Sequence, residues 1–138
     1  MTSTRRGILH HVELWVPDLE RAVAEWGWLL GELGYGAFQG WDAGRSWRLG
    51  DTYIVVEQST AMLDDGHNRL RPGLNHLAFH AGSPAVLDVL MTRALTHGWT
   101  PLFAEKYPHA GGQRSYAGYL ANSDGFEVEL VAQVEPKR

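Results

Sequence analysis

The sequence predicts an α+β fold in which the unit strand–helix–three strands occurs twice, with curved sheets carrying the helices on their outer faces. Two observations predict it. The stretch Leu9-His10-His11-Val12-Glu13-Leu14 returns 65 residues later as Leu74-Asn75-His76-Leu77-Ala78-Phe79. Each copy alternates like a strand and leads into apolar residues at helical spacing.

The elements follow in order. The first strand feeds Val16-Pro17-Asp18-Leu19, where Asp18 is a candidate N-cap. The helix then runs from about Leu19 to Leu33, with Leu19, Val23, Trp26, Leu29, Leu30 and Leu33 on its apolar stripe. Gly34 is placed to stop it. Three strand candidates come next, near Tyr35–Gln39, Ser46–Leu49 and Thr52–Gln58. In the second copy, Ser83 caps and Pro84 opens a helix to about Thr96. Its stripe is Val86, Leu87, Leu90, Met91 and Leu95, and Gly98 ends it. Strands near Thr100–Phe103, Arg114–Leu120 and Phe126–Ala132 complete the unit, the last turn being Asn122-Ser123-Asp124-Gly125. The loop from Ala61 to Gly73 joins the copies. Glu105 to Gln113, with Pro108 and Gly111-Gly112, reads as a mobile flap. Polar tails occupy Met1–Arg6 and Glu135–Arg138.

A chain of 138 residues suits one domain, residues 1–138, with module one at about 8–60 and module two at about 74–133. Neither half buries its own sheet well, so the two are expected to pack together. A formal charge of -4 and the lack of any Lys/Arg run argue against a nucleic-acid surface. The absence of cysteine excludes disulfides, thiolate metal sites and cysteine nucleophiles. No signal peptide or bilayer-spanning run is visible, so the cytoplasm and no membrane partner are expected. Six tryptophans are many for this length. They serve a core or line a cup for a flat ligand.

Strand parity picks out the chemistry. Val12, Leu14 and Val16 face the helix, leaving His11, Glu13 and Trp15 on the other side. Leu77, Phe79 and Ala81 likewise leave His76, Ala78 and His80. Glu57 and Glu129 lie near the ends of matching strands at that same parity. His10 would need the opposite parity and is set aside. A lone strand histidine is usually structural, but His11 and His76 match in the repeat and each has a glutamate to hand. Two imidazoles and two carboxylates form a mixed N/O set suited to zinc, nickel, manganese, iron or cobalt. One divalent ion per chain is expected, held by His11, Glu57, His76 and Glu129. His67, His97 and His109 are read as surface residues. Tyr116 and Tyr119 have opposite parity, so at most one faces the site. Tyr116 is placed there as a substrate contact, with Trp15, Glu13, His80, Trp47 and Arg114.

Three stretches resemble the vicinal oxygen chelate superfamily over nearly the whole chain. Leu9–Leu19 with Trp28–Tyr35 is similar to its opening, and Gly73-Leu74-Asn75-His76-Leu77-Ala78-Phe79 to its second module. Asn122-Ser123-Asp124-Gly125-Phe126-Glu127-Val128-Glu129-Leu130 resembles its closing motif, with Ser123 in place of a proline. The resemblance implies paired βαβββ modules forming a metal-binding cup, the glyoxalase-like fold. It implies a lyase or isomerase whose divalent ion chelates vicinal oxygens and stabilises an enediolate or oxyanion, with Glu57 or Glu129 as base. Two other functions of the superfamily stay open: a bleomycin-resistance protein sequestering an aromatic antibiotic without chemistry, and an extradiol dioxygenase. Trp15 stands where bacterial glyoxalase I commonly has arginine, and Ala61 where asparagine is usual. Both argue against a glutathione thioester product. A small-molecule substrate or antibiotic and a homodimeric partner are expected.

Overall fold

The computed structural model describes residues 5–63 and 66–134. The outer parts of the two polar tails, and Asp64 and Asp65 of the joining loop, lie outside the described residues. The chain divides between residues 64 and 65 into two compact units, taken separately below.

In the first unit, strand β1 (His11–Trp15) leads into helix α1 (Leu19–Glu32), followed by β2 (Gly36–Trp41), β3 (Gly44–Leu49) and β4 (Thr52–Glu57). The sheet order is β1-β4-β3-β2, with β1 parallel to β4 and the rest antiparallel. The helix is the crossover that a parallel pair requires. Asp18 caps it by accepting the Arg21 amide at 2.9 Å, and Gly34 follows its end at φ 97°. Ala22, Trp26, Leu29 and Leu30 fill the core together with Leu14, Val16, Ile54 and Val56.

The second unit repeats the plan with β5 (His76–His80), α2 (Pro84–Ala94), β6 (Thr100–Leu102), β7 (Ala117–Ala121) and β8 (Glu127–Val131). Its order is β5-β8-β7-β6, again with one parallel pair, β5 with β8. Ser83 caps α2 by accepting the Val86 amide at 3.2 Å. The Asn122–Gly125 turn is held by the Asn122 carboxamide oxygen, which accepts the Asp124 and Phe126 amides. A short 3-10 turn at Ala104–Lys106 went unread in the sequence.

Three expectations need correction. The buried stripe of α2 is Leu87, Leu90 and Ala94, whereas Val86 and Leu95 are exposed. A 100° face accommodates the i, i+3, i+7 set and leaves those two beside it. Strand β7 begins at Ala117 rather than at Arg114, because Gln113 and Arg114 lie in a turn and Ser115 and Tyr116 are irregular. His67 is no surface residue: it is half-buried, stacks on Phe126 at 4.2 Å, and burial pushes its pKa down.

The tryptophans differ in burial. Trp26, Trp47 and Trp99 are buried, while Trp15 and Trp41 are exposed. Among the described residues, no helix is long and apolar enough to cross a membrane.

Candidate metal centre

Strand pairing sets which of the expected residues share a face. In the second unit Gly118 of β7 lies against Met91 of α2, so its neighbour Tyr119 faces away from the helix. Tyr119 is paired with Glu129 in the antiparallel register. Across the parallel pair, His76 lies opposite Glu127 and Ala78 opposite Glu129. A parallel ladder thus sets His76 two residues from Glu129 on one face, within reach of it. The His76 Nε2 to Glu129 Oε1 distance is 3.1 Å.

The state of His76 follows from its neighbours. Asn75 donates its Nδ2 to the Arg69 carbonyl at 2.9 Å, which fixes the amide orientation. Its Oδ1 then faces His76 Nδ1 at 2.7 Å and accepts that N–H. In a neutral ring, Nε2 is consequently a bare lone pair aimed at a carboxylate. Lone pair and carboxylate repel unless a proton or a cation lies between them. That is the donor set of a divalent site, with the oriented imidazole that such sites use. One imidazole nitrogen and one carboxylate supply two donors of the kind an ion takes; among the described residues no third His, Asp or Glu side chain joins them.

Beside His76 is a cavity of about 330 Å³ lined also by Arg69, Asn75, Phe103, Lys106, Tyr119 and Glu127; Glu129 is not among its lining residues. Glu127 is 4% exposed and forms an ion pair with Arg69 at 3.0 Å. Its charge is thereby compensated, as burial demands. Tyr119 lies opposite Glu129 in the register. Burial first, then hydrogen bonding toward Glu129, then the Glu129 and Glu127 charges push the Tyr119 phenol up to about 12 from its ordinary 10.0. Because the folded value is raised, the contribution to stability is complete below pH 10 and is lost as pH rises through about 12. Ultraviolet titration of the metal-free chain should show this tyrosine ionising late, and Glu129→Gln should bring it back toward the ordinary value. A titration curve unchanged by Glu129→Gln would contradict the contact.

The first unit differs. His11 is exposed, stacks on Tyr53 at 4.9 Å with 6° between the planes, and lies opposite it in the register. Its Nδ1 is 2.9 Å from His10 Nδ1, so either ring can hold the shared proton. Glu57 lies opposite Trp15, at the far end of the strand pair from His11. The residue matching Glu129 in register is Val55, opposite Glu13. Glu57 instead accepts the Trp41 indole N–H at 3.1 Å. The two modules thus share parity but not register at their glutamates. Within neither unit do the described residues gather three His, Asp or Glu side chains in ion-holding geometry.

The remaining expected contacts fall as follows. Trp15 is exposed and donates to Glu13 at 2.7 Å, and His80 is exposed at the end of β5. Trp47 stands in the core against Gly27 of α1, on the wrong face for a ligand. Tyr116 precedes β7 and donates to Asp88 of α2 at 2.8 Å, so Tyr119 takes the place foreseen for it. Arg114 is exposed in a turn. Sequence reasoning missed Arg69, Asn75, Phe103 and Lys106 as site residues. Asn75 alone had a visible signal, its position immediately before His76.

Residues 10–119 match the family model of the glyoxalase/bleomycin resistance protein/dioxygenase superfamily. The chain is 42% identical over 125 residues to the uncharacterized protein YqjT of Bacillus subtilis (strain 168), covering 90% of this chain and 98% of that one. A Bacillus halodurans crystal structure, described provisionally as a glyoxalase, is also 42% identical, with TM-score 0.88 and coverage of 93% and 97%. Lactoylglutathione lyase from Agrobacterium tumefaciens shares the fold at 18% identity, TM-score 0.62 and coverage of 94% and 96%. The repeated βαβββ units and the matched family model place this chain in the glyoxalase/bleomycin resistance protein/dioxygenase superfamily, the vicinal oxygen chelate proteins.

Proposed function

We propose that the chain is a glyoxalase-type lyase or isomerase that uses one divalent ion, with His76 and Glu129 among its ligands. The observation that carries this reading is the bare Nε2 of His76 facing the Glu129 carboxylate at 3.1 Å, its tautomer set by Asn75. Bound there, the ion would supply Lewis-acid stabilisation of negative charge on substrate oxygens. The chain's own residues account for the rest. Tyr119, opposite Glu129 in the register, stands ready to hydrogen-bond its carboxylate. Glu129 is the base that accepts a proton from a carbon beside a carbonyl. The Arg69–Glu127 pair and Phe103 wall the cavity and limit water, and the Lys106 ammonium meets an anionic substrate group.

The test is proton exchange. With metal-loaded protein, small α-hydroxycarbonyl compounds in deuterium oxide should exchange the proton on the oxygen-bearing carbon, and Glu129→Gln should abolish this. Equal exchange in the variant and the unaltered chain would remove Glu129 as base.

A second reading has an observation of its own. Trp15, Phe38 and Trp41 expose aromatic surface in the first unit. Such rings suit sequestration of a flat antibiotic. Tight binding of a bleomycin-type ligand by metal-free protein, without proton exchange by the loaded form, would favour it.

A further inference from the structure

Residues 107–116 leave the second unit and return to it at one point. Tyr107 donates its hydroxyl to Asp88 Oδ1 at 2.6 Å, and Tyr116 donates to the same oxygen at 2.8 Å. The two rings meet edge-on, 6.0 Å between centroids. The neck is closed by the Ala117 amide on the Pro108 carbonyl at 2.9 Å. Inside the loop, the Gly112 amide reaches the His109 carbonyl at 3.0 Å, and His109 Nδ1 donates to the Ser115 carbonyl at 2.8 Å. A compact loop with joined ends and its own internal bonds is an Ω-loop.

Its tip lies on the centre. A methyl group at Gly111 would stand 3.1 Å from the Tyr119 hydroxyl and 3.5 Å from Glu129 Oε2. Bare backbone therefore covers both groups, and Ala110 of the same loop lines the cavity beside His76. Asp88 is not among the cavity's lining residues and sits on α2, on the other side of the sheet.

We propose that Asp88 is a positioning residue for this site: by holding Tyr107 and Tyr116 on one carboxylate oxygen, it latches the 107–116 loop over Glu129, Tyr119 and His76. Two phenols on an ionised oxygen make charge-assisted bonds, stronger than neutral ones. They hold the Asp88 carboxyl below the usual range, and Asp88 in turn helps push both phenols up, Tyr107 chiefly through burial. The three groups thus keep their donor and acceptor states across the neutral range. Pro108 and Gly111-Gly112 of the expected flap lie in a loop whose neck is anchored.

The test needs no metal, so its outcome is separate from that of the proposed activity. Two rates are read: peptide-resolved hydrogen exchange of residues 107–116, and carbethoxylation of His76 by diethyl pyrocarbonate with His11 as internal reference. Asp88→Ala should raise both on the order of tenfold and leave His11 unchanged. Asp88→Asn keeps an oxygen that accepts from both phenols and should raise them less than about threefold. A role for Asp88 only as a negative charge near the start of α2 is lost equally in both variants. If Asp88→Ala does not fold, the double variant Tyr107→Phe/Tyr116→Phe carries the test, since it removes only two hydroxyls, and the same tenfold rise is expected. A His76 rate equal to that of the unaltered chain in a folded latch variant, or equal effects of Asn and Ala, overturns the proposal.

Discussion

Replacing His76 with alanine is expected to lower divalent-ion affinity by more than about a hundredfold, beyond the 10–100-fold usual for losing a second-shell partner. Asn75→Ala should fall within that second-shell range, because it frees the ring to adopt the other tautomer without removing the ligand atom. Glu57→Gln should weaken binding less than either, since Glu57 lies at the far end of its strand pair from His11 and already accepts the Trp41 indole. Isothermal calorimetry with zinc or cobalt reads all three. Equal, small effects from His76→Ala and Glu57→Gln would show that the centre is not on β5 and β8.

The second large effect is on stability. Trp26 is 1% exposed in the core of the first unit. Trp26→Ala should cost about 3–5 kcal/mol through lost burial and the cavity left behind, lowering Tm by roughly ten degrees or more. Trp15 is 43% exposed, and Trp15→Ala should change stability by no more than about 0.5 kcal/mol. Thermal melts followed by circular dichroism compare the two. Similar costs would mean that the division between core and exposed tryptophans is wrong.

Those two residues also show what the sequence could reveal. Trp26 sits in a helical stripe whose neighbours Leu29 and Leu30 repeat the same face, so its burial was legible from period alone. Trp15 shares strand parity with His11 and was legible for the same reason. The repeat gave the order of elements, and capping chemistry gave the starts of both helices. Parity says which face a residue takes, but not how far along the ladder it stands. Glu57 and Glu129 take equivalent parity, each in its own sheet, yet only Glu129 comes within reach of its histidine, because register depends on turn geometry and pairing. Trp47 lay on a strand whose alternation offered no strong apolar set, so its face was open until β3 paired with β4. Arg69, Phe103 and Lys106 reach the cavity from loops, where no period exists to guide a reading. Tyr119 was within reach of inference: counting back from the Asn122–Gly125 turn sets it opposite Glu129.

Equilibrium dialysis of the unaltered full chain against zinc or cobalt, followed by elemental analysis, tests most directly whether it holds a divalent ion through His76 and Glu129, as proposed. The expected result is about one ion per chain, lost in His76→Ala and in Glu129→Gln. No uptake by the unaltered chain, or uptake that both variants retain in full, would contradict it.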